Sequence, residues 1–341
     1  MTASIEDAGS THYTVGIGQR YDSIYLRNGT VRVEGFDIEY PAVPSAGDAA
    51  PESMLRVAGE QPYIPPRSMF TAMATQPIYD VGEQAFSTFL QAVDHGTELL
   101  ALPVFPSRLF PHHEISVNQS AGIGRPADLA GKRVAIPFFS HNHAVWLRGA
   151  LQHQYGVPLE AIVWVEYGEE HLDDYHPPAR FKIEKADGGS SAAKLLEAGA
   201  VDAALAVRGV RSKSPTVQPL FEDPYSEIAE FLKLFPIHPV NTVLTVPRAT
   251  LDKSRELPRA IFDAFQRALG LYVAGVRDGS REDEHSGLYV RRLERETGFR
   301  YPRYGFGVNR PTIDTMIEYC CEQGVIAKRL DAASIFVLTD S

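Results

Sequence analysis

Cysteine is almost missing from this 341-residue chain, and the two that occur, Cys320 and Cys321, are neighbours. Adjacent cysteines rarely bridge each other, so no disulfide framework is expected. No run of about 18 apolar residues occurs, which leaves no candidate for a membrane-spanning helix. The N-terminus, MTASIEDAGSTHYTVGIG, carries acidic residues and no apolar stretch behind a basic start. It does not read as a secretory leader, and a cytoplasmic protein is the expectation. Basic runs are missing too. Lys and Arg number 33 against 43 Asp and Glu, a formal net charge of −10, so there is no basic face to displace counterions from nucleic acid. A few convergent arginines in a cleft are still enough for a small anion. Gly122-x-Gly124 lacks the rest of a dinucleotide or phosphate-loop fingerprint, and neither HExxH nor a Ser-His-Asp order is legible.

What is present is an ordinary globular composition, 44% hydrophobic and 22% charged, in a length that suggests two domains. HYTVGIG reads as a first strand and VEGFDIEYPAV as a second, alternating at Phe36, Ile38 and Tyr40. PESMLRVAG is helix-like, YDVGEQAFS reads as a strand entering a helix, and TELLALPVFPS as a buried strand. A new unit starts near His112 with strand, Gly-rich turn, short helix and strand (EISVNQSAGIGRPADLAGKRVAIPFF). The helix HNHAVWLRGALQHQYGV and the strand AIVWVEYG follow, then the loop HPPARFKIEKADGG and the helix–turn–strand SAAKLLEAGAVDAALAV. From about Phe235 the chain reads as returning to the first unit, through NTVLTVPRATLD and two amphipathic helices. Alternating strands and helices imply parallel pairing with helices on both faces.

Four blocks carry a more specific likeness. PVFPSRLFPHHEISVN (103–118), AVWLRGALQHQYGV (144–157), FPIHPVNTVLTVPR (235–248) and YGFGVNRPTIDTMIEYCCEQGVIAKRL (304–330) resemble blocks of the 4,5-dihydroxyphthalate decarboxylase family. QRYD near the start and DVGEQAFSTFL near residue 80 extend the likeness over nearly the whole chain. Arg125-Pro-Ala-Asp-Leu-Ala-Gly-Lys-Arg-Val-Ala-Ile-Pro137 is similar to the segment that opens the second lobe of type II periplasmic-binding-protein-like proteins. The resemblance implies an α/β protein of that two-lobed fold, each lobe a mixed sheet flanked by helices, joined by two crossover segments. Residues 1–110 with 238–341 would form one lobe and 111–237 the other, with hinges near 108–113 and 233–240 and a ligand cleft between. The implied activity is decarboxylation of a small hydroxylated aromatic acid. Two alternatives stay open: a solute-binding protein for an anionic aromatic ligand, and another acid/base enzyme, a hydrolase or isomerase, on the same scaffold. The stretch Phe138-Phe139-Ser140-His141-Asn142-His143 departs from the family's pattern, which has an acidic-aromatic pair there.

Protonating the ring carbon that bears a carboxylate lets carbon dioxide leave, and this needs carboxylate holders and a proton donor. Arginine suits the first task because its planar fork pairs a carboxylate through two bonds. Arg20, Arg108, Arg148 and Arg208 are the candidates, each with a plain structural ion pair or surface position as the alternative. Histidine suits the second. His141 and His143 stand at a strand-to-helix junction, and His238, braced by Pro236 and Pro239, in the second crossover. These three are the expected catalytic residues, with His112 and His113 as weaker candidates. No cofactor is expected, and a divalent metal shared by His141 and His143 is the alternative. Ser140 or Asn142 reads as the cap of the helix, whose free amide groups would meet an anion. Glu83, near a helix start, would bind a substrate hydroxyl or cap that helix. The expected partner is a small anionic aromatic molecule, with neither nucleic acid nor membrane, and a homodimer is the default assembly.

Overall fold

The computed structural model describes residues 12–18, 23–41, 66–207, 209–280, 290–300 and 303–338. Its strands form two mixed sheets. The first contains β1 (His12–Gly16), β2 (Asp37–Glu39), β3 (Val81–Ala85), β4 (Leu99–Arg108) and β11 (Val240–Pro247), in the order β2-β1-β3-β11-β4. The second contains β5 (Ile115–Asn118), β6 (Arg133–Ile136), β7 (Val163–Glu166), β8 (Lys182–Lys185), β9 (Ala203–Leu205) and β10 (Val217–Pro219), in the order β10-β5-β9-β6-β7-β8. Parallel pairing holds where strand–helix alternation predicted it, for β1 with β2 and β3 and among β6, β7, β8 and β9. It fails where β11 inserts antiparallel between β3 and β4 and where β5 runs against β9 and β10.

The helices are α1 (Ser23–Arg27), α2 (Pro66–Thr75), α3 (Phe86–Asp94), α4 (Asn142–His153), α5 (Ala192–Glu197), α6 (Pro224–Leu234), α7 (Arg248–Lys253), α8 (Leu257–Asp278), α9 (Val290–Thr297), α10 (Phe306–Glu322) and α11 (Ala332–Ile335). Along α8, Ile261, Phe265, Ala268, Tyr272 and Val276 recur at helical spacing and are buried, and Gly279 ends the helix at φ +84. No helix among the described residues is long and apolar enough to cross a membrane.

Three local expectations need correction. The loop expected at 176–189 contains β8, which pairs with β7 over four residues. Its sequence, Lys-Ile-Glu-Lys, half-buries only Ile183, so this charged edge strand shows no hydrophobic pattern. The second strand is only three residues long, because an edge strand with one neighbour loses its ladder early. Helix α6 was not read from the sequence, although Asp223 caps it through Tyr225 N–H at 3.1 Å and Pro224 opens it. The helix-like stretch 51–59 lies outside the described residues.

The two sheets are tied at α4. Asn142 Oδ1 accepts from Ser87 N–H at 2.9 Å, and its amide donates to Val240 O at 3.1 Å and Asn241 Oδ1 at 3.0 Å. One turn on, Trp146 Nε1 donates to the same Val240 O at 2.8 Å. The first strand of the return crossover is thereby pinned to the helix of the other sheet.

Candidate active site

Two loops at the carboxyl ends of adjacent parallel strands build the site. β6 runs into Pro137–His141 and β7 into Tyr167–His171, and ligands of open α/β sheets bind at that edge. Main-chain bonds hold the loops together, Tyr167 N–H to Ile136 O at 3.1 Å and Gly168 N–H to Pro137 O at 2.7 Å. A Cβ on Gly168 would lie 3.0 Å from Pro137 O, so this close approach calls for glycine.

Buried carboxylates fix the first loop. Glu166 accepts from Phe139 N–H at 2.6 Å and pairs with Lys185 Nζ at 2.8 Å. Glu170 accepts from Ser140 N–H at 3.0 Å and from the Ser140 hydroxyl. Burial pushes the Glu170 carboxyl up to about 7 against the pull of the Ser140 bonds. An unfolded glutamate titrates near ~4.3. The stability Glu170 contributes is therefore complete below that value and is lost as pH rises through about 7. Between pH 5 and 8 the protein is expected to lose on the order of 1–3 kcal/mol that the Glu170→Gln variant keeps. Denaturant titrations of both proteins across that range check it, and parallel pH profiles would contradict it.

A row of rings crosses the seam between the sheets. Phe70 on α2 meets His171 edge-on at 5.6 Å, His171 meets Phe138 at 4.8 Å, and Phe138 meets His141 at 4.9 Å and 90°. His141 in turn stacks on His143 at 5.3 Å. His171 also bonds across the seam, Nδ1 to Thr88 Oγ1 at 2.6 Å, while its carbonyl accepts from Thr71 Oγ1 at 3.1 Å. At the end of the row His143 Nδ1 lies 2.8 and 2.9 Å from the two carboxylate oxygens of Glu114.

The histidine pair expected from the sequence is thus adjacent, for a reason helical geometry does not give. An i,i+2 spacing inside a helix separates side chains by roughly 200°. His141, however, is the extended N-cap residue of α4, at φ −55 and ψ 128, so its ring folds back over His143. Burial, followed by His143, His171 and Arg148, holds His141 well below the usual imidazole range, and its Nδ1 is buried without a partner. The cap expectation is corrected as well. The N-cap is His141 with no side-chain cap bond, the Ser140 hydroxyl is taken by Glu170, and the polar atoms of Asn142 serve the inter-sheet tie. Glu83 lies in the middle of β3, not at a helix start, and accepts from Gly18 N–H at 2.9 Å. His238 is buried, stacked on Phe110 at 4.8 Å and 15°, and burial next to Arg108 holds its ring well below the imidazole range. Arg20 and Arg208 lie outside the described residues. Among the described residues, no group of three or more His, Cys, Asp or Glu side chains could hold a metal ion.

His171, Thr88, Glu114 and Glu170 escaped the sequence reading. The first and last stand in Gly168-Glu-Glu-His171, directly after β7, where a polar run at a strand's carboxyl end was the available signal.

No protein-family profile matches the chain. A 4,5-dihydroxyphthalate decarboxylase from Comamonas testosteroni is 30% identical over 292 residues, covering 80% of this chain and 86% of the relative. This chain belongs to the 4,5-dihydroxyphthalate decarboxylase family. A second such enzyme, from Pseudomonas putida, is 28% identical over 177 residues, 49% of this chain and 69% of that protein. Among solved structures, the alkanesulfonate-binding protein SsuA from Xanthomonas axonopodis pv. citri superposes with a TM-score of 0.51 at 15% identity, covering 97% of this chain and 100% of that one. That likeness concerns the fold, and it bears out the expected periplasmic-binding-protein-like fold of two mixed sheets flanked by helices.

The decarboxylase-family blocks lock onto one another. Arg108, expected as a carboxylate clamp, is buried, with Nη2 donating to Asn309 Oδ1 at 2.8 Å and Nη1 to His238 O at 3.2 Å, its guanidinium over the Phe105 ring. Arg148 is buried too. Its Nε donates to Gln323 Oε1 at 2.8 Å, Nη2 to Phe139 O at 2.6 Å, and the guanidinium lies 3.9 Å over Phe139. Asn309 and Gln323 sit near the two ends of α10, so that helix straps both crossovers and α4 together. The surface ion pair weighed for Arg148 is overturned, and both guanidinium groups are engaged inside the protein.

Proposed function

We propose that this protein is a carboxy-lyase that decarboxylates a small hydroxylated aromatic acid of the 4,5-dihydroxyphthalate type. The observation that carries the reading is the row of rings ending in a carboxylate-held imidazole, in a member of this decarboxylase family. Flat aromatic faces suit a benzene ring, and imidazole suits proton transfer near neutral pH. The amino end of α4 adds backbone N–H groups and a favourable dipole for the substrate carboxylates. In 4,5-dihydroxyphthalate each carboxyl-bearing carbon is para to a hydroxyl, which feeds electron density into that carbon and favours its protonation. A histidine of the cluster supplies the proton, the carbon–carboxylate bond breaks, and 3,4-dihydroxybenzoate and carbon dioxide result. The substrate ring sits at the seam between the two sheets, and closure of one over the other excludes water around it.

The test is incubation with a panel of hydroxylated benzene mono- and dicarboxylates, with and without chelator, followed by mass spectrometry. The expected result is loss of carbon dioxide from one dihydroxylated dicarboxylate and no effect of chelator. Tight binding by calorimetry with every compound recovered intact would replace the enzyme reading with a solute-binding role.

A further inference from the structure

We propose that His143 delivers the proton to the ring carbon bearing the departing carboxylate, and that Glu114 is the residue that positions it. The proposal rests on the decarboxylase reading and identifies its proton donor. The other histidines of this region are committed elsewhere. His171 spends Nδ1 on Thr88, His112 spends Nε2 on Gln154 at 2.8 Å, and His238 is enclosed against Phe110. His141 has no carboxylate partner at its buried Nδ1.

His143 differs in having a buried carboxylate on one ring nitrogen and accessibility at the other. The Glu114 side chain is 1% exposed and that of His143 12%. With Nδ1–H donating to Glu114, the tautomer and ring orientation are fixed and Nε2 is left for a ligand. Nε2 has no partner among the described residues and is not buried. This is the arrangement by which a carboxylate stabilises an imidazolium without taking its proton. The ring of His141 stacks on that of His143 at 5.3 Å. The groups facing His143 are therefore Glu114 from the turn before β5 and His141 from its own helix entry. Near Glu114 stands Tyr167 at the end of β7, whose hydroxyl donates to Leu205 O at 2.9 Å.

In the step itself the Nε2–H bond of the imidazolium breaks as the new ring C–H bond forms, leaving His143 neutral. The bond to the carboxylate then breaks, its electron pair restores the aromatic ring, and carbon dioxide departs. A proton from water recharges His143.

The experiment compares the wild-type protein with His143→Asn, His143→Gln, Glu114→Gln and Glu114→Asp, using 4,5-dihydroxyphthalate across a pH range, with binding measured separately by calorimetry. Both His143 variants are expected to lose about 10²–10⁴-fold in kcat while still binding substrate. Glu114→Gln is expected to lose about 10–100-fold, with Glu114→Asp partly restored. Because Glu114 acts on the orientation of the ring and not on the substrate, the loss in Glu114→Gln falls on kcat, with substrate affinity unchanged. The ¹⁵N chemical shifts of the His143 ring report its tautomer independently of turnover, Nδ1–H in wild type and a mixture of both in Glu114→Gln. A folded His143 variant within about tenfold of wild-type kcat would overturn the donor assignment. An unchanged kcat and an unchanged ring tautomer in Glu114→Gln would overturn the positioning role. If the wild-type protein itself turns over no hydroxylated aromatic acid, the decarboxylase reading fails, and this assignment with it.

Discussion

Gly149→Ala is expected to destabilise the protein by about 3 kcal/mol, against the gain of about 1 kcal/mol that this change normally brings inside a helix. An added Cβ would lie 2.0 Å from Tyr319 Cε2 and 2.1 Å from Cδ2. The ring cannot simply swing away. It packs edge-on to Trp146 at 5.6 Å and stacks on His153 at 5.0 Å, so α4 and α10 would have to separate. Denaturant unfolding of Gly149→Ala, Tyr319→Ala and the double variant checks this. The clash requires a coupling of about 1 kcal/mol or more, because removing the ring removes the penalty for the methyl group. A Gly149→Ala protein as stable as wild type would refute the close packing.

The second large effect belongs to Arg148. Arg148→Ala leaves Phe139 O and Gln323 Oε1 without their donor, at about 1–3 kcal/mol each. It also removes the stacking on Phe139 and opens a cavity, each adding about 2 kcal/mol. Relief of a buried charge works the other way, since burial pulls this guanidinium down to about 10. That relief offsets part of the loss, and a net destabilisation of about 3 kcal/mol remains. Unfolding of Arg148→Ala and Arg148→Lys tests it. Lysine cannot reach both acceptors with one ammonium, so it recovers only part. Had Arg148 only paired with an acid on the surface, both variants would unfold like wild type.

The two arginines show what a sequence reveals and what it hides. Their positions at a strand end and in a helix after the histidine pair were legible, and so was the order of elements around them. Their partners were not, because Asn309 lies 201 residues from Arg108 and Gln323 175 from Arg148. A basic residue in a family block looks the same whether it meets substrate or stacks on Phe105 or Phe139. The His141–His143 cluster was legible as a cluster, because strand, loop and helix start were all signalled locally. Glu114 was not, since its role arises only when β5 and α4 come together in space. β8 was lost to a charged edge pattern that no core dictates, whereas α6 carried a readable start in Asp223-Pro224.

The central claim is that this protein removes a carboxylate from a dihydroxylated aromatic acid and replaces it with a solvent-derived proton. The direct measurement is incubation of the wild-type protein with 4,5-dihydroxyphthalate in D₂O, followed by NMR and mass spectrometry of the ring. The account predicts 3,4-dihydroxybenzoate carrying deuterium at the vacated carbon. Recovery of the dicarboxylate unchanged, under conditions where the folded protein binds it, would contradict the account.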